Sequence, residues 1–168
     1  TWGTACAHAG VGVALIGIVC ETTWNSEYIA TMKPGDAAKI AGYELKLDDV
    51  TQRQGPNFRE MLAQFTVRLD GERLSVMTPS KRNFTTRGSS TTEAALLTRG
   101  ASQLYVSLGE TNADGAIAVR IYHKPLVLLI WWGPILMALG GVLSLSDRRL
   151  RVGAPKPAKA LRGLQAAE

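Results

Sequence analysis

Two stretches of the chain, residues 2–20 and 125–146, contain no Asp, Glu, Lys or Arg. Each is about the ~20 residues that an α-helix needs to cross a bilayer core. Between them the pattern shortens to alternating apolar and polar positions broken by turn residues. "KPGD" (33–36) predicts a turn, and "AKIAGYELKLDDV" predicts a strand or hairpin about Gly42. "RQGPN" (53–57) reads as a loop. "EMLAQFTVRLDGERLSVMTP" reads as two strands about Asp70-Gly71, a strong hairpin signal. "RNFTT" is a further strand. "TTEAALLTRG" (91–100) opens on a capping Thr and closes on Gly100, which predicts a short helix. "QLYVSLGE" and "AIAVRIYHKP", joined by "TNADG", complete the set.

The expected architecture is a membrane protein segment. Two transmembrane α-helices flank a small, mostly antiparallel β domain, barrel- or sandwich-like, of about six to eight strands. The expected divisions are a transmembrane helix over 1–20, a β-rich domain over 21–124, a second transmembrane helix over 125–146 and a basic tail over 147–168. The tail is rich in Ala, Lys and Pro and is expected to be disordered. The second helix is expected to take Pro125 at its first position and to kink at Pro134. Gly133, Ala138 and the Gly140-Gly141 pair offer surfaces for close helix packing. Trp131 and Trp132 lie deep for an interface belt, which suits contact with another helix or a flat ligand.

Charge changes this picture by giving it a direction. Residues 21–124 carry 13 Lys and Arg against 12 Asp and Glu, whereas 147–168 carry 6 against 2. A basic cluster "DRRLR" directly after an apolar run follows the positive-inside rule, placing the tail in the cytoplasm and the β domain in the periplasm. The sequence pI of 9.5 is then a signal of topology and not of nucleic acid. The first apolar run has no basic n-region, initiating Met or cleavage site of a secretory signal. A chain opening within an apolar pattern is expected to have further membrane helices before Thr1.

His8 is the odd residue of the first run. An ionisable group in a bilayer is a functional hypothesis by default. Two readings stand: a neutral imidazole bonded to a Ser or carbonyl of a neighbouring helix, or an axial ligand to a b-type haem. Gly12 at i+4 and Ala5 at i−3 leave room for a flat macrocycle and equally suit helix packing. Cys6 points ~200° away from His8 and cannot share an iron with it. His123 stands at the outer end of the second run, while His8 lies ~18 Å inward of Cys20. A ligand trans to His8 would therefore come from outside this sequence. Cys6 and Cys20, ~21 Å apart along a helix, cannot form a disulfide and read as small apolar residues. No Cys-x-x-Cys-His is present for covalent haem attachment. The β domain carries no nucleophile–base pair or zinc site, and Asp48-Asp49 and Lys81-Arg82 read as surface charges.

"MKPGD", "GPNF", "KRNF", "TEAAL", "LYVSLGE" and above all "VRIYHKPLVLLIWWGPILMALGGVLSLSDRR" resemble the C-terminal part of the CcmF/NrfE-type family of cytochrome c haem lyase subunits. The resemblance implies the penultimate helix, last periplasmic domain and final helix of a multi-pass protein of the bacterial inner membrane. It implies haem received from the chaperone CcmE and joined by thioether bonds to the Cys-x-x-Cys-His of apocytochrome c presented by CcmH. "AHAGVGVALIG" matches the family position of a haem-ligating His, so the resemblance gives His8 the role of axial iron ligand to haem b. It assigns no catalytic residue here, and the family's Trp-rich haem-handling motif finds no match, so the chain would be one part of a lyase. The competing reading is a non-catalytic, membrane-anchored periplasmic β domain that acts as an assembly or docking module.

Overall fold

The computed structural model describes residues 2–86 and 88–146. The expectations for the tail and for "DRRLR" lie outside the described residues. The described residues divide into two compact units, one of residues 2–15 with 131–146 and one of residues 16–86 with 88–130.

Among the described residues the larger unit holds ten strands in two antiparallel sheets. Their order is β1 (Ser26–Met32), β2 (Ala37–Ile40), β3 (Tyr43–Gln54), β4 (Phe58–Leu69), β5 (Glu72–Met77), β6 (Ser80–Phe84), β7 (Ser89–Glu93), β8 (Ala95–Arg99), β9 (Ser102–Thr111) and β10 (Ile117–Lys124). One sheet runs β1-β10-β9-β8; the other runs β2-β3-β4-β6-β7, with β5 also on β4. Leu45 pairs with Val67 and Leu47 with Phe65, all four fully buried. From the opposite sheet Val106 pairs with Ile121 and Leu108 with Val119. These side chains form one core between the sheets, and each such burial stabilises the fold by about 1.5–3 kcal/mol. Period-two alternation thus works as expected, and the architecture is a sandwich. The Ala41-Gly42 and Asp70-Gly71 turns both hold positive φ, at 47° and 84° and at 53° and 83°, the mirror-image turn that suits a two-residue hairpin.

Three expectations are corrected. The stretch 91–100 is not a helix: it divides between β7 and β8, which belong to different sheets. The capping Thr at its start is a local signal. The ladders offered by β6 and β9 outweigh it, pairing Thr91 with Arg82 and Leu97 with Leu104. The strand count is accordingly ten. Pro125 does not open the second helix. Leu126 stands at φ 55°, incompatible with continuous helix, and residues 125–128 form turns closed by Leu129 N–H donating to Leu126 O.

Helix α1 spans Trp2–Trp24 and α2 spans Leu129–Ser146; both are long and apolar enough to cross a membrane. In the smaller unit their described parts meet along a seam of small residues. A Cβ on Gly133 would stand 2.5 Å from Ala14 Cβ, and one on Gly140 would stand 2.5 Å from Ala7 N. Gly3 and Gly10 complete the α1 side of the seam, at 2.7 Å from Gly140 O and 2.6 Å from Gly133 O by the same measure. Small residues let backbones approach where lipid provides no hydrophobic drive between helices.

Candidate functional site

The seam decides where His8 points. Helical residues advance 100° each, so His8, one position beyond Ala7, turns away from the seam onto an exposed face of α1. Its Nδ1 lies 2.8 Å from the carbonyl oxygen of Thr4, one turn earlier. A carbonyl can only accept, so Nδ1 is the donor of this contact, and a neutral imidazole so held would present Nε2 as its acceptor. Gly12, one turn later on the same face, has nothing within 4 Å of an added Cβ. Its small size therefore serves no contact within the pair of helices. Of the two uses open to small residues around His8, packing against α2 belongs to Gly3, Ala7, Gly10 and Ala14. Ala5 and Gly12 instead leave open surface beside the imidazole.

This is an arrangement that can hold a metal-bound cofactor. Metal-ligating histidines characteristically donate their second ring N–H to a carbonyl or carboxylate, which fixes tautomer and orientation. Among the described residues no group of three or more His, Cys, Asp or Glu side chains could hold a metal ion. Cys6 is half-buried and Cys20 buried, both as free thiols. His123 is not on a helix. It lies in β10 of the larger unit, opposite Leu104 and 5.9 Å from the Tyr43 ring, and burial pushes its imidazole below the usual value. Trp131 and Trp132 are both exposed on α2.

The larger unit contains a charged network that the sequence did not announce. Glu60 is buried in β4; Ser80 Oγ donates to its Oε1 at 2.8 Å and Arg82 Nε at 2.9 Å. The Ser80 bond above all, with Arg82 and Arg53, holds the Glu60 carboxyl below its usual value, while burial acts in the opposite sense. Arg82 also pairs with Glu93 and stacks over the Phe58 ring at 5.0 Å. Lys81, expected at the surface, is buried and pairs with Glu110. The alternation in "FREMLAQF" sets Glu60 on the strand face opposite Met61, Ala63 and Phe65, so it gave no signal of this burial. At the edge of the unit Lys124 Nζ donates to Glu21 Oε1 at 2.8 Å.

Two helices of membrane-spanning length, before and after an antiparallel sandwich in the chain, define the class as a membrane-protein segment with a β-sandwich domain, with one exposed histidine on a helix. Residues 23–125 match the family model described as CcmF C-terminal beta-sandwich. The chain belongs to the CcmF family of cytochrome c-type biogenesis proteins. It is 81% identical over 167 residues to the cytochrome c-type biogenesis protein CycK of Bradyrhizobium diazoefficiens, covering 99% of this chain and 25% of that one. It is 41% identical over 150 residues to CcmF of Escherichia coli, covering 89% and 23%. To the NrfE protein of Haemophilus influenzae it is 29% identical over 148 residues, covering 88% and 23%. A solved structure titled Cytochrome c Heme Lyase CcmF superposes with a TM-score of 0.70 at 18% identity, over 86% of this chain and 24% of that one. That likeness is one of fold. The chain spans about a quarter of the length of the curated relatives it matches.

Proposed function

We propose that this chain is the C-terminal part of a cytochrome c haem lyase subunit and that His8 is an axial ligand to a b-type haem in the membrane. The observation that carries the reading is the placement of His8: Nδ1 is spent on the Thr4 carbonyl, and the residue stands exposed on the side of α1 away from the Gly10–Gly133 seam, with open space at Gly12 one turn on. Such a haem supplies a one-electron couple when bound. The chain's own part would be to orient the imidazole through Thr4, to leave the surface at Gly12 open for such a group, and to hold α1 against α2 through the Gly10–Gly133 seam. A second ligand would come from another segment, since Cys6 points away from His8 around the helix.

On this reading the complete protein receives haem from CcmE and forms thioether bonds to the Cys-x-x-Cys-His of an apocytochrome c delivered by CcmH. The sandwich lies in the periplasm and the basic tail in the cytoplasm of a bacterial inner membrane. The charge asymmetry of residues 147–168 supports that orientation, as does the resemblance of the helix around His8. The test is the optical spectrum of the natural protein carrying this segment. His8→Ala is expected to abolish the paired bands of low-spin b haem. An unchanged amplitude and midpoint potential overturns the ligand assignment. A reporter fused after Arg151 that is active only in the periplasm overturns the orientation.

A further inference from the structure

The inner face of the β3-β4-β6 sheet changes character along its length. Leu47, Ala63 and Phe65 are fully buried in the core. Further along, the same face carries two polar cross-strand rows: Gln52 opposite Met61 opposite Lys81, and Gln54 opposite Arg59 opposite Asn83. These rows line a cleft of about 600 Å³, bounded on the far side by residues 109–111 of β9. An inner sheet face normally continues as core; here it opens as a polar trough.

The charges around the trough mostly cancel. Lys81 is tied to Glu110 and lies 3.5 Å from the Gly109 carbonyl. Arg53, at the border, faces Glu60 in register, and Arg82 is shared between Glu60 and Glu93. Arg59 is left over, exposed, with no ion pair among the described residues. Gln54 and Asn83 flank it on the neighbouring strands. A guanidinium grips a carboxylate with two parallel hydrogen bonds. Amide side chains offer a donor and an acceptor each, which matches the peptide backbone. The two rows lie ~6.8 Å apart along the strands, the two-residue repeat of an extended chain. Two cations without an ion pair among the described lining residues, Arg59 and Arg53, are too few for a phosphate backbone, whose binding draws on many.

We propose that this trough binds an extended acidic peptide segment of a partner protein, with a carboxylate on Arg59 and the backbone on Gln54, Asn83 and Gln52. The site lies wholly in the sandwich and does not depend on the role of His8. Fluorescence anisotropy of the full chain in detergent, with a labelled peptide of alternating Glu and Thr, tests it. The Glu peptide is expected to bind at least ~10-fold more tightly than its Gln counterpart, and Arg59→Glu to weaken it by at least ~10-fold. Arg99→Glu makes the same charge change at an exposed position outside the trough and is expected to alter binding by less than about twofold. Thermal unfolding of both variants reports that the fold is intact. Equal losses from Arg59→Glu and Arg99→Glu overturn the proposal, as do equal binding of the two peptides and no binding at all. Competition by inorganic phosphate or by anionic vesicles as strong as by unlabelled peptide also overturns it, pointing to a general anion or lipid surface.

Discussion

Gly10 and Gly133 meet backbone to backbone: a Cβ on either would stand 2.6 Å from the other's carbonyl oxygen. Neither clash involves the flexible end of a side chain, so neither can be relieved locally. Gly133→Leu is expected to push the helices apart and destabilise the protein by about 1–3 kcal/mol. Thermal unfolding in detergent measures the loss. Gly141→Leu, where an added Cβ meets nothing within 4 Å, is the matched control and is expected to cost less than about 0.5 kcal/mol. Equal losses at the two positions would remove the seam as the reason these helices pair.

Gly12 separates the haem-facing reading of α1 from a packing one. An added side chain there has open space within the chain, and replacing Gly inside a helix gains up to about 1 kcal/mol of intrinsic propensity. Gly12→Leu is therefore expected to leave folding intact and to lower the content of b haem several-fold. Haem absorbance per protein, read beside the melting curve, checks both halves. Full haem content would show that the surface beside His8 is not the one a macrocycle occupies.

Glu60 couples the sandwich to pH. Its carboxyl is held below the ordinary value of 4.5, chiefly by Ser80, with help from Arg82. A lowered native value means the unfolded chain binds the proton first. The stabilisation is therefore complete above pH 4.5 and is lost as pH falls through the lower native value. Glu60→Gln leaves Arg82 without one of its two carboxylates and is expected to cost about 1–3 kcal/mol near pH 7. The difference from the unmodified protein should shrink steadily as the pH falls below 4.5. Denaturant unfolding at a series of pH values follows it, and a constant difference would contradict the assignment.

Lys124 and Glu21 close the boundary between sandwich and helix. Their side chains are 32% and 23% exposed, enough burial to strengthen the pair beyond a surface contact. Lys124→Met is expected to destabilise the protein by about 1–2 kcal/mol. Exchanging the two charges, Glu21→Lys with Lys124→Glu, should restore part of the loss. A double-mutant cycle on the unfolding free energies gives the coupling, and a value near zero would reduce the pair to a surface contact.

Much of the domain was legible in the chain. Asp70-Gly71 marked its hairpin because two consecutive positive φ angles leave few residues a choice, and the alternation through Tyr43 to Leu47 marked a strand with one face inward. Residues 91–100 misled because helix caps are local, whereas a strand draws its hydrogen bonds from partners distant in sequence. Thr91 meets Arg82 and Leu97 meets Leu104 only once both sheets exist. Lys81 misled for a related reason. A charge in a short polar stretch looks solvated until β6 is laid against β4 and Glu110 comes within reach.

By itself the sequence determined two apolar helices, an antiparallel β domain between them, and one histidine where a charge is costly, because those follow from length, periodicity and residue chemistry along a single strand of text. Which side of α1 that histidine faces was a matter for tertiary structure. Small residues surround His8 in every direction around the helix, and only the meeting of Gly3, Ala7, Gly10 and Ala14 with α2 shows which of them are for packing. The same holds for the trough beside Arg59. Its two rows are scattered along the chain between Gln52 and Asn83 and become a surface only through the pairing of β3, β4 and β6.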